Sequence, residues 1–160
     1  MQQTDYQPFL SIFAEDRYAG IWEFGSGPPF AAAHNIGPDE YQRRFDAFLA
    51  SGYRLVHVNA HSLDGADRYA AIWERSEGPD WQARHRLTAD QHQQAVDALI
   101  AEGYRPVRVC GYTINDVDHY ASIWEARPGP ALQIRHRLTA AACRPKAAWP
   151  IVTLPTRCGS

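Results

Sequence analysis

Hydrophobic and polar positions alternate along this chain in two rhythms. From Arg54 to Ala60 the period is two, with Val56, Val58 and Ala60 on one side and Leu55, His57 and Asn59 on the other. Successive side chains of a strand point to opposite faces, so this spacing predicts a strand. The pattern returns as Val107 and Val109 against Arg108 and Cys110. Tyr-Ala-x-Ile-Trp runs at 69–73 and 120–124 are rich in β-forming types and predict further strands. Trp81 to Leu87 predicts another, and Phe9 to Phe13 an opening one. Turn chemistry marks Leu63-Asp64-Gly65-Ala66-Asp67, Ile114-Asn115-Asp116-Val117-Asp118 and Gly78-Pro79. Elsewhere the spacing becomes helical. Thr88-Ala89-Asp90-Gln91 is a capping box, Val96, Leu99 and Ile100 form a stripe, and Gly103 is a left-handed stop. Pro38 takes an N1 position before Phe45, Phe48 and Leu49, and Gly52 closes that helix. The prediction is an α+β fold of about nine strands and two helices, with tight connections that favour antiparallel neighbours.

These elements recur at a fixed step of 51 residues. Arg17-Tyr18-Ala19-Gly20-Ile21-Trp22-Glu23 returns as Arg68 to Glu74 and again as His119 to Glu125. Gly27-Pro28, Gly78-Pro79 and Gly129-Pro130 keep the step, as do His34, His85 and His136. Gly52-Tyr53-Arg54 returns as Gly103-Tyr104-Arg105. A register held without a slip over three copies defines a tandem repeat. The unit reads strand–strand–strand–helix, with about two full units and a partial third. The repeat is expected to occupy residues 1–139 as one domain. After Thr139 the pattern breaks: Pro145, Pro150 and Pro155 exclude a helix. The 140–160 segment is either a natural, atypical C-terminal cap or a truncated or frame-shifted piece of a longer repeat array.

Composition narrows the classes. With 45% apolar and 21% charged residues, the chain is neither disordered nor collagen-like. A formal net charge of −2 offers no basic field for nucleic acid or an anionic membrane, so neither partner is expected. No apolar run is long enough for a membrane helix, and residues 1–10 show no secretory signal. The chain as written reads as cytoplasmic, with a secreted setting open if it is a fragment. Cys110, Cys143 and Cys158 form no C-x-x-C pair, so no zinc site is expected. Their odd number favours reduced thiols, although Cys143 and Cys158 could bridge the tail. No G-x-S-x-G elbow, phosphate-binding glycine loop or H-E-x-x-H helix is present. Lys146 is the only lysine, and Cys143 occupies the place where a Ser-x-x-Lys motif would need serine. No cofactor is expected.

The recurring residues read first as scaffold. Trp22, Trp73 and Trp124 are the right type for an aromatic platform, but recurring large aromatics more often pack between sheet and helix. His34, His85 and His136, with Glu23, Glu74 and Glu125 near in sequence, lack the convergence that a metal needs, because equivalent residues of stacked repeats are spread along the array. Positions that differ between copies are better placed for a ligand. His57, Asn59 and His61 correspond to Arg108, Cys110 and Tyr112, on the face away from Val56 and Val58. His57, Asn59, His61, Arg108 and Tyr112 are therefore the candidate binding residues; the plain alternative is a solvated sheet face. Cys110 is flanked by apolar residues, where a thiol is poorly ionised, so it is a weak nucleophile candidate.

The sequence R-Y-A-x-I-W-E, then G-P, then R-H-x-L-T-A, then a helix closing on G-Y-R-P-V resembles the bacterial tandem repeat domain, which also occurs in the N-terminal region of fungal polyglycine hydrolases. The resemblance covers residues 9–139. It implies an antiparallel sheet curved into a half-barrel with helices on one side. It does not imply hydrolysis, because in those enzymes the chemistry belongs to a separate serine β-lactamase-like domain. The expected function is a non-catalytic module binding a glycan or an extended peptide. The alternatives are a self-associating, homo-oligomeric repeat scaffold, the substrate-binding part of a larger serine hydrolase, or an enzyme built on His57, His61 or Cys110.

Overall fold

The computed structural model describes residues 12–13, 17–18, 25–130, 132 and 134–135. Among them lie eight strands and two helices: β1 (Ile12–Phe13), β2 (Arg17–Tyr18), β3 (Phe30–Ile36), α1 (Pro38–Ala50), β4 (Arg54–Leu63), β5 (Ala66–Glu74), β6 (Trp81–Thr88), α2 (Ala89–Ala101), β7 (Tyr104–Ile114) and β8 (Val117–Ala126). Trp22, Glu23, His136, Cys143, Cys158 and the whole 140–160 segment lie outside the described residues.

β1 and β2 form a short antiparallel pair. The remaining strands sort into two three-stranded sheets, β3–β5–β4 and β6–β8–β7, each antiparallel throughout. β3 and β4 therefore run the same way on either side of β5. Strands that run the same way cannot be joined by a hairpin, so α1 makes the crossover. α2 does the same between β6 and β7. Each repeat is thus three antiparallel strands and one helix, and no barrel is closed among the described strands. The cyclic order of elements is the one the periodicity predicts, and strand pairing sets where a unit begins, just before Phe30 or Trp81. One expectation changes as a result. Gly78-Pro79 does not fold β6 back beside β5; residues 75–80 instead carry the chain from one sheet to the next.

Local chemistry accounts for the elements. Gly37 enters α1 extended and Pro38 opens the first turn, with Asp39 and Glu40 facing the positive end of the helix dipole. In α2 both capping-box bonds form: Gln91 N–H to Thr88 Oγ1, and Thr88 N–H to Gln91 Oε1. Gly52 and Gly103, at φ +80° and +89°, end the two helices in the left-handed region. The hairpin turns have both central residues at positive φ, Asp64 and Gly65 in one unit and Asn115 and Asp116 in the other. That is the turn whose twist matches the flanking strands.

The recurring aromatics form the same core in both units. Tyr69 stacks on Tyr41 of α1 with centroids 4.6 Å apart, and Tyr120 stacks on His92 of α2 at 4.9 Å. Trp73 lies 4.9 Å from Phe48, while Trp124 packs against Val96 and Leu99. Both tryptophans are fully buried. The units differ at one atom. Trp124 Nε1–H donates to Ser122 Oγ at 2.9 Å, whereas the equivalent of Ser122 is Ala71 and the buried Trp73 Nε1–H has no acceptor. Ser122→Ala should therefore cost about 1–3 kcal/mol, the range for stranding a buried donor, and Ala71→Ser should gain about 1 kcal/mol. Urea melts of the two variants check this pair, whose effects must have opposite sign.

Two β-bulges revise the expected faces. The register of β4 on β5 slips between Leu55 and His57, so Leu55 pairs with Trp73 and joins Val58 and Ala60 on the α1 face. It does not lie with His57 and Asn59. The matching slip in β7 falls between Pro106 and Arg108. Val107 consequently packs into the core between the units, while Val109 is 47% exposed. One inserted residue flips every side chain on one side of it, which simple alternation cannot anticipate.

Candidate functional site

In the register of β4, His57, Asn59 and His61 oppose Ile72, Ala70 and Arg68, on the face away from α1. Arg108, Cys110 and Tyr112 oppose Ile123, Ala121 and His119 on the corresponding face of the second sheet. That second face is covered by the first unit. Tyr112, Ile114, Ala121 and Ile123 share one core with Leu55, Val58, Ala60, Tyr69 and Trp73. α1 is wedged into the same joint, with Tyr41 edge-on to His85 and Phe45 edge-on to Trp81.

Of the five candidate binding residues, Asn59 and Tyr112 meet the other unit at this seam, and His57 lies near the charge of Arg108. Cys110 Sγ–H donates to Asn59 Oδ1 at 3.0 Å, and Ala60 N–H donates to the same sulfur at 3.3 Å. Ala60 lies on β4, an edge strand, so the thiol covers part of an open edge. The Tyr112 and Tyr69 hydroxyls bond at 2.9 Å, and Tyr69 O–H reaches Asp67 Oδ2 at 3.0 Å. Arg86 Nε, from the second unit, stands 3.2 Å from that buried carboxylate oxygen. Tyr112 is buried, Arg108 is exposed, and His57, Asn59 and His61 are half-buried. His34 is exposed, His85 lies in the joint, and Glu74 and Glu125 sit at the ends of β5 and β8.

The electrostatics of the seam suit a joint rather than a reaction. Burial raises the Tyr69 hydroxyl well above the phenol range, and the bond to Tyr112 adds to this. Tyr112 is pushed up to about 12, mainly by burial. His57 is lowered by burial and then by the Arg108 charge; His85 is lowered by burial and then by Arg86. Burial raises the Cys110 thiol, whose partners are a carboxamide and backbone groups, none of them a base. In a Cys143→Ser/Cys158→Ser background, Cys110 should react with a disulfide reagent at pH 8 more slowly than a free thiol, because burial leaves less of it as thiolate. The rate should climb above pH 9. Among the described residues no group of three His, Cys, Asp or Glu side chains is placed to hold a metal.

A second feature was not foreseen. An open groove of about 740 Å³ lies where residues 75–80 cross between the sheets. Tyr53, Trp81 and Tyr104 line it, together with Arg54, Glu77, Asp80 and Gln82. Tyr53 follows the left-handed Gly52 and rests against Phe48 at 5.5 Å. Tyr104 holds the equivalent place after Gly103. Trp81 opens β6, its ring centroid 5.9 Å from that of Phe45 in an edge-on arrangement. The wall is tied at both ends, Arg75 N–H to Pro29 C=O and Ala126 N–H to Asp80 C=O, both at 2.8 Å. Arg54 fixes its middle. The guanidinium lies so close to Gly78 that a Cβ there would be 1.6 Å from Nη1, and it pairs with Glu125 Oε1 at 2.8 Å. Arg105 covers Gly129 in the same way. Sequence held part of the signal. Tyr53 and Tyr104 recur, while Trp81 replaces Phe30 and Leu132 of the other copies. Nothing in one dimension shows that two units converge there.

The duplicated core, the crossover helices and the repeated Arg–Gly contact define a tandem structural repeat. Residues 27–76 and 78–127 each match the polyglycine hydrolase-like structural repeat, and the chain belongs to that family. No curated protein matches it. No helix among the described residues is long and apolar enough to cross a membrane.

Proposed function

We propose that the chain is a non-catalytic binding module, with a glycan or extended peptide held in the groove between the two repeats. The observation that carries this reading is the convergence of Tyr53, Trp81 and Tyr104, from both units, on one open groove with carboxylate and amide groups beside them. Ligand sites commonly combine apolar walls with a few orienting polar groups. Trp and Tyr supply a flat face and a polar edge together. Calorimetric titration against cell-wall oligosaccharides and Gly-rich hexapeptides tests it. One ligand class should saturate without turnover, and Trp81→Ala should weaken it about tenfold, equivalent to about 1.4 kcal/mol. Saturation unchanged by Trp81→Ala would contradict the reading.

A scaffold that joins copies is the second reading. The observation favouring it is that Cys110 and Tyr112, at positions that vary between repeats, are already taken up in a unit-to-unit joint. Mass that rises with concentration in the absence of ligand would support it.

A further inference from the structure

We infer that copies of this chain join head to tail, the last repeat of one seating on the first strands of the next; this rests on the scaffold reading above. Two observations carry it. The first is a face left bare. Val58 and Val109 hold the same place in the two units, opposite Ala71 and Ser122, on the faces that carry Trp73 and Trp124. Val58 is 4% exposed, in a core it shares with Ala121 and Ile123 of the next unit. Val109 is 47% exposed. Ala60 is buried, and its equivalent Gly111 is exposed. The second unit therefore presents the surface that a following unit covers in the first.

The second observation is a set of matching strands at opposite ends of the chain. β5 and β8 are middle strands, paired on both sides. Tyr18 to Trp22 repeats their Tyr-Ala-x-Ile-Trp run, yet β2 pairs with β1 alone among the described residues. The strand type that fills the other side, that of β3 and β6, recurs at residues 132–139, and Arg135 to Ala140 is identical to Arg84 to Ala89. Leu132 and Ile134 lie in no strand, although their equivalents Trp81 and Ala83 belong to β6. Ile134 rests against the Val96, Leu99 and Trp124 cluster, so this segment meets α2 as β6 meets α1. Adding residues 132–139 of one copy to β2 of the next completes a third sheet. That sheet brings Ala19 and Ile21, the equivalents of Ala121 and Ile123, over Val109. Open strand edges are templates for another chain, and a head-to-tail contact builds chains rather than closed pairs.

Analytical ultracentrifugation of the full chain in reducing buffer, without ligand, tests it. The mean mass of wild type should rise with concentration. Val109→Arg should melt like wild type, because the site is half-exposed, but should associate at least about tenfold more weakly, since a valine's burial is lost and a charge takes its place. Added to wild type at fixed concentration, Val109→Arg should shorten the chains, because it still docks through its N-terminal strands. Ile21→Arg blocks the opposite end, so an equal mixture of the two variants should give a two-chain species while each alone stays single. If Ile21→Arg melts below wild type, the shortening by Val109→Arg decides. Two results overturn the inference but leave the scaffold reading, because copies then meet elsewhere or face to face. One is association that Val109→Arg does not weaken. The other is wild-type chains that Val109→Arg does not shorten. Wild type that keeps the mass of one chain at every concentration overturns both, and leaves the bare face to residues 140–160 of the same chain.

Discussion

Trp124→Ala is expected to remove about 3–5 kcal/mol of stability, the usual range for deleting a large buried aromatic. Trp124 has no exposed surface, is packed under Val96 and Leu99 of α2, and spends its one polar atom on Ser122. Truncation removes the ring from beneath the crossover helix and strands the Ser122 hydroxyl. α2 then keeps the His92–Tyr120 stack but loses most of its remaining cover. Domains of this size lose about 2–4 °C of melting temperature per kcal/mol, so a fall of about 6–20 °C should follow. Urea unfolding monitored by far-UV circular dichroism measures it. A loss under about 1.5 kcal/mol would mean that the ring is not part of a close-packed core.

The second large effect concerns the wall of the groove. Gly78→Ala should cost about 2–4 kcal/mol, because the added Cβ and the Arg54 guanidinium cannot occupy the same space. The side chain that must move is buried, and moving it breaks the bond to Glu125. Glu125 is partly exposed, with 23% of its side chain accessible, so it regains some hydration and the loss stays below that of a fully buried pair. Coupling between the two positions gives a sharper test. In an Arg54→Ala background the obstacle is gone, and Gly78→Ala should then cost no more than about 0.5 kcal/mol. Equal costs in both backgrounds would show that Gly78 is required for its backbone and not for its contact with Arg54.

Much of the fold was legible because it rests on short-range chemistry stated twice. The capping box at Thr88, Pro38 at the start of α1, the glycines that end both helices and the Tyr-Ala-x-Ile-Trp strands all recur at one step. The faces of β4 and β7 were less legible. Each bulge inserts a residue without changing composition, so Leu55 and Val107 read as belonging to the wrong side. The seam was not legible for a different reason. Cys110 and Tyr112 differ from Asn59 and His61 because each face of an array meets a different neighbour, and variation there reflects the joint as readily as a ligand. The groove escaped notice because its walls come from the end of one helix, a connecting segment and the next sheet. Only strand pairing reveals that these meet.

A heteronuclear NMR titration of the full chain with the glycan or peptide that binds best decides between the groove and the sheet face. The Trp81 indole N–H, the backbone amides of residues 76–78 and 80–82 and those of Tyr53 and Tyr104 should shift together and saturate. Shifts confined to His57–His61 and Arg108, with the groove signals unmoved, would contradict it and return the binding site to the sheet face.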